Sequence, residues 1–185
     1  FKDFAHAPLP ATWYFATLAN KLAGEDLDPA NAEVRMVLSA SLNGDPNCFF
    51  GASFYYGLDG QDPANTQDII PLVLHELGHG LGVGNFVSRT DGTLPQGLPD
   101  AYLNFMLDNQ LDKRWSEMTD AERVTSMRNP RHVVWTGANA LAAAPGLLRH
   151  GTARLRVTSP AAATYLVGEA LFGQELTATA IASDL

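Results

Sequence analysis

The sequence predicts an α+β fold: a twisted mixed sheet over one central helix, with additional helices C-terminal to it. Three observations carry this. A capped helix with an apolar face is readable from about Asp68, and it runs into Gly80, Gly82 and Gly84. Short alternating or aromatic segments precede it, in residues 34–39 and 49–56. Polar-capped helical segments follow it, opening at Pro99 and Thr119.

With 185 residues, 46% of them hydrophobic, the chain is long enough for one domain with a substantial core, and no apolar run approaches a membrane span. Thr12 caps a helix that passes through Trp13 to about Ala23, with Tyr14, Leu18 and Leu22 at four-residue spacing and Gly24 as its stop. Residues 26–31 form a polar, proline-bearing connection. Val34, Met36 and Leu38 alternate with Arg35 and Ser39, which reads as a strand. Asn43-Gly44-Asp45-Pro46-Asn47 is a turn cluster. The stretch from Phe49-Phe50 to Phe54-Tyr55-Tyr56 reads as extended, broken at Gly51 and Gly57. Its aromatic residues fit buried strand packing, with an edge that holds a peptide by backbone pairing as the alternative.

Asp68 is the N-cap of the central helix, Pro71 falls in its first turn, and Ile69, Leu72, Val73, Leu77 and Leu81 form its apolar face. Residues 87–96 are loop-like. Pro99 opens a helix with Tyr102, Phe105 and Met106 inward and Asp100, Asn104 and Asp108 on other faces. Thr119-Asp120-Ala121-Glu122 is a capping box for a short helix that Asn129-Pro130 stops. His132-Val133-Val134-Trp135 reads as a strand, residues 140–144 as a weak helix closed by Pro145-Gly146, and Leu155 with Val157 as a strand. Residues 159–185 form an alanine- and threonine-rich tail without recognisable chemistry.

The chemistry concentrates on the central helix, in His75-Glu76-Leu77-Gly78-His79. Positions i and i+4 share a helix face, so His75 and His79 can grip one metal ion, and Glu76 projects towards an open coordination position. This pattern points to zinc (Zn2+) and to hydrolysis, with Glu76 as the general base for the attacking water. Two histidines need a further protein ligand. Asn85 is a neutral amide and a poor zinc ligand. Asp100, 21 residues after His79, is one candidate, but it reads first as a carboxylate in the first turn of a helix, favoured by the dipole. Asp108 reads as a solvated helix residue, and His132 and His150 as lone structural or exposed histidines. Cys48, the single cysteine, reads as a small buried or semi-exposed thiol; an upstream cysteine resembles the peptide deformylases, although Pro46-Asn47-Cys48-Phe49-Phe50 does not match their glycine-cysteine-leucine pattern. A net charge of −8 argues against a nucleic-acid partner.

The stretch from His75 to Gly82 resembles the metzincin zinc metallopeptidases, above all leishmanolysin-like enzymes, in which a long insertion separates the glycine from the third histidine. Thr12-Trp13-Tyr14, Ala19-Asn20-Lys21-Leu22-Ala23-Gly24, Asp28-Pro29-Ala30-Asn31 and Tyr55-Tyr56-Gly57-Leu58-Asp59-Gly60 are similar to bacterial secreted metallopeptidases that carry an inserted protease-associated (PA) domain. So are Met118-Thr119-Asp120-Ala121-Glu122-Arg123 and Val134-Trp135-Thr136-Gly137-Ala138-Asn139. The resemblance implies a partial zincin-like catalytic domain over residues 1–158, and a tail over 159–185 that leads into an inserted or following domain. It implies a secreted endopeptidase acting on proteins or peptides, with His75 and His79 on zinc and Glu76 catalytic. The third histidine and the Met-turn would lie beyond Leu185, and Asn85 would mark where the insertion separates them from the helix. No signal peptide is visible, and the opening Phe1-Lys2-Asp3-Phe4 reads as an interior cut. Two readings from other classes stay open: a non-catalytic degenerate zincin or peptide-binding module, and a deformylase-type small-amide hydrolase using Cys48.

Overall fold

The computed structural model describes residues 1–48, 51–128 and 132–147. The fold is a mixture of helix and strand. Helix α1 spans Ala16–Ala23, and strands β1 (Ser53–Tyr55) and β2 (Thr66–Asp68) pair in parallel, with Phe54 opposite Gln67. Strand β2 runs directly into α2, the motif helix Ile69–Gly80. A second sheet combines β3 (Met106–Asp108), β4 (Lys113–Arg114) and β5 (Val133–Trp135), with β3 in the middle and both pairings antiparallel. Helices α3 (Asp120–Met127) and α4 (Ala138–Leu147) complete the described elements. No helix among the described residues is long and apolar enough to cross a membrane.

Two apolar clusters hold these elements. The larger joins Trp115, Trp135, Tyr102 and Met106 with Val83 and Val87, so the chain leaving α2 is anchored in the core of the second sheet. The smaller packs Tyr14, Leu18 and Ala19 against Ala101. Each buried aromatic of this size contributes roughly 2–3 kcal/mol of transfer free energy, which makes these clusters the main source of order around the motif helix.

Several expectations hold. Gly24 ends α1 in a left-handed conformation (φ 77°), and its N–H returns to the Asn20 carbonyl. Thr119 and Glu122 form the capping box of α3 reciprocally, and Val133–Trp135 is a fully buried strand. Others are corrected. Helix α1 begins at Ala16, because the backbone of Trp13 is committed elsewhere: its N–H donates to Pro99 and its carbonyl accepts from Ala101. The Thr12 hydroxyl donates to Pro10 instead of capping.

Residues 34–39 form no ladder, since no strand of the described residues lies beside them. The segment after Pro99 is a 3-10 turn, Ala101–Phe105, followed by β3. The backbone of Met106–Asp108 is captured by β5, while Tyr102 and Met106 are buried as the helical reading expected. Asp108 is therefore buried, not solvated. It accepts from the backbone N–H groups of Gln110 and Leu111 and from the Ser126 hydroxyl at 2.5 Å, and Ser126 in turn accepts from the Trp115 indole. Helix α4 begins earlier and runs past Pro145-Gly146 to Leu147. The strand expected at Leu155 and Val157, the 158/159 boundary, the tail and His150 lie outside the described residues, as do Phe49-Phe50 and Asn129-Pro130.

Candidate metal centre

Helix α2 is set at both ends by local chemistry. The Asp68 carboxylate accepts from the Ile70 N–H at 2.9 Å, and Pro71 occupies the first turn, where a missing N–H costs nothing. At the other end Gly82 adopts φ 99°, its N–H bonds to the His79 carbonyl, and the Val83 N–H reaches back to Gly78. This pair of bonds is a Schellman motif, and it folds the chain sharply beneath the last turn of the helix. Gly80 serves a different purpose. A Cβ there would fall 2.7 Å from a Val34 methyl, so its absence lets residues 34–39 lie against the helix.

The i, i+4 spacing does what the sequence implies: the His75 and His79 rings stand perpendicular, and their Nε2 atoms are 3.1 Å apart. Two nitrogens bound to one tetrahedral zinc, each about 2.05 Å from it, lie roughly 3.3 Å apart, so the pair is spaced to share one ion after a small adjustment. The His79 Nδ1 lies 2.7 Å from the Val83 carbonyl oxygen. A carbonyl only accepts, so Nδ1 carries the proton and Nε2 keeps its lone pair, which is the tautomer a metal ligand needs. His75 Nε2–H then donates to His79 Nε2, and that proton must leave when both nitrogens turn to a metal. Partial burial pushes the His75 pKa down and the neighbouring His79 ring pushes it further, while Glu76 opposes them. Both environmental effects keep the imidazole neutral and able to ligate.

Glu76 is exposed and opens, with His79, onto a cavity of about 630 Å³. Its other walls include Val34, Met36, Phe54 and the half-buried Cys48. Residues 34–39, expected as a strand, thus form one side of the space in front of the motif helix. The helix's apolar face is only partly covered: Leu77 and Leu81 remain 42% and 45% exposed.

The structure separates the other ligand candidates from this pair. Among the described residues no group of three or more His, Cys, Asp or Glu side chains comes together as a metal site. Asn85 turns its side-chain oxygen to the Val87 N–H. Asp100 is 1% exposed and spends both oxygens on backbone donors: Oδ1 accepts from Leu103 and caps the 3-10 turn, and Oδ2 accepts from Phe86 at 2.8 Å. Burial nevertheless pushes its pKa up to about 6, against those hydrogen bonds. His132 is half-buried beside β5, and its carbonyl accepts from Asn109. The residue that sequence reasoning missed is Val83, whose backbone carbonyl fixes the His79 ring; its only signal was its place one residue after a helix-terminating glycine.

Comparison of the chain with protein-family models, with curated proteins and with solved structures finds no match.

Proposed function

We propose that this chain carries the active-site helix of a secreted, metzincin-type zinc endopeptidase that hydrolyses protein or peptide bonds, with His75 and His79 as zinc ligands and Glu76 as general base. The observation that carries the reading is the His79 ring. Its Nδ1–H is held by Val83 and its Nε2 meets that of His75 at 3.1 Å, an arrangement suited to a shared divalent ion. The zincin-like arrangement, with a sheet lying over this helix, belongs to the same proposal. So does a third protein ligand supplied from outside the described residues.

Zinc held by these imidazoles would supply Lewis acidity, acidifying an attacking water and polarising a carbonyl. The protein's own part falls to three groups. His75 and His79 fix the ion at the helix face. Glu76, exposed to the cavity, accepts the proton of the attacking water and returns it to the departing amine. The cavity between the helix and residues 34–39 receives the peptide flanking the cleaved bond.

Glu76→Gln should retain zinc close to the wild-type level and lose hydrolysis by at least about a hundredfold, as removal of a general base does. His75→Ala or His79→Ala should lose the zinc itself. Metal content by atomic emission, together with cleavage of unfolded protein substrates, checks both. Full peptidase activity in Glu76→Gln overturns the mechanism, and a metal-free, equally stable wild type favours a non-catalytic module. The position of Cys48 on the same cavity favours one second reading, a deformylase-type amide hydrolase. Loss of zinc in Cys48→Ser supports that reading, and retention removes it.

A further inference from the structure

We infer that Asp100 is a positioning residue for the metal site: it clamps the turn after the motif helix, so that the Val83 carbonyl stays where it orients His79. This deepens the zinc reading and rests on it for its functional meaning, but the contacts stand by themselves.

The turn from Leu81 to Phe86 is intrinsically loose. It contains Gly82 at φ 99° and Gly84, and glycines permit the widest range of backbone conformations. Yet it bears the carbonyl that selects the His79 tautomer. Two contacts tie its far end. The Phe86 N–H, three residues beyond Val83, donates to Asp100 Oδ2 at 2.8 Å, and the Phe86 ring stacks on Phe15 with centroids 4.4 Å apart. Phe15 also borders the turn from the inside, near Gly82 and within contact of Gly84, whose missing Cβ would itself lie 3.5 Å from His79 Nδ1.

Asp100 is firmly seated for this task. It is 1% exposed, its Oδ1 accepts from Leu103, and its backbone is bridged to Trp13 through the bonds Trp13 N–H to Pro99 and Ala101 N–H to Trp13. The 3-10 turn and the segment after α2 therefore meet on one carboxylate, whose own backbone is held by the chain leading into α1. A buried carboxylate without a cationic partner is costly, and capping a short 3-10 turn alone would need only an amide or hydroxyl. The second oxygen, aimed at Phe86, is what the charge adds: two strong acceptor sites back to back.

The test begins with metal-free protein, by ¹⁵N NMR of the histidine side chains. Wild type should show His79 with a protonated Nδ1 and a bare Nε2. Asp100→Asn preserves a good cap for Leu103 but offers no second acceptor to Phe86, and Asp100→Ala removes both. In either variant His79 should become a mixture of tautomers, and Co²⁺ affinity, followed by its absorption bands, should weaken about tenfold, the lower end of the loss seen when an orienting partner of a ligand is removed. Thr119→Ala, which removes the exposed N-cap of α3, is the control for general destabilisation and should change neither readout.

An unchanged His79 tautomer and unchanged Co²⁺ affinity in folded Asp100→Asn overturn the inference, as does an equal effect from Thr119→Ala. If wild type binds no Co²⁺ while the tautomer still depends on Asp100, the zinc reading fails and the positioning role stands. If metal binds and the tautomer ignores Asp100, the reverse holds.

Discussion

Two side chains with similar chemistry take opposite roles here because of what surrounds them. Asp100 and Glu122 are both carboxylates that accept backbone N–H groups. Glu122 lies at the surface, where Lys113 and the Thr119 N–H hold its pKa down to about 2. Asp100 is buried with no cation paired to it among the described residues, and desolvation pushes it up to about 6. The signs of their linkage differ accordingly. For Glu122 the folded state binds its proton less tightly than the unfolded chain, so its contribution is present above about pH 4.5 and is lost as pH falls towards 2. For Asp100 the folded state binds the proton more tightly, so stability falls as pH rises from 3.8 to about 6. Wild type should therefore gain stability relative to Asp100→Asn on acidification from pH 7 to pH 4, by on the order of 3 kcal/mol, measured as the difference between their urea midpoints at each pH. A difference that stays flat over that range shows Asp100 to be ionised throughout. At this scale His75, Glu76 and His79 were legible in the sequence, since a spacing of four on a helix fixes relative position. The role of Asp100 was not, because its partner Phe86 is 14 residues away and only packing joins them.

Elements show the same division. The caps at Asp68, Gly24 and the Thr119–Glu122 box were readable because they are satisfied within a few residues. Residues 34–39 have strand periodicity, but a strand is a relation between two segments, and no partner lies beside them among the described residues. Conversely, Thr66–Asp68 carries no strand signal and becomes β2 because β1 lies alongside it. Gly82 is the junction that links the motif helix to the metal site. In Gly82→Ala the new methyl meets only ordinary contacts, the nearest at 3.5 Å from Leu18, so the cost is the left-handed backbone, about 1–2 kcal/mol. Denaturant unfolding should show that loss. The displaced Val83 carbonyl should also weaken metal binding, whereas Gly24→Ala, in the same backbone region at the end of α1, should cost similar stability and leave metal affinity intact.

At the scale of the whole molecule, the proposed metal would be linked to stability. A ligand that binds the folded state alone stabilises it by about 2.7 kcal/mol at a hundred times its dissociation constant, which for a chain of this size raises Tm by roughly 5–10 °C. Zinc should produce such a shift in wild type and in Glu76→Gln, and none in His75→Ala; equal shifts in all three would place the metal elsewhere. The partly exposed Leu77 and Leu81 leave the motif helix less stabilised by packing than its apolar sequence would allow. The sequence by itself determined that His75 and His79 share one helix face with Glu76 beside them, and it determined the helix caps and the mixed α+β class, because each depends on neighbours within about one helical turn. Tertiary structure alone decided that Asp108 is buried, that Asp100 spends its oxygens on backbone donors, and that the Val83 carbonyl selects the His79 tautomer. Those outcomes depend on a glycine turn, a bridge to Trp13 and a packed core, which bring distant parts of the chain within hydrogen-bond reach.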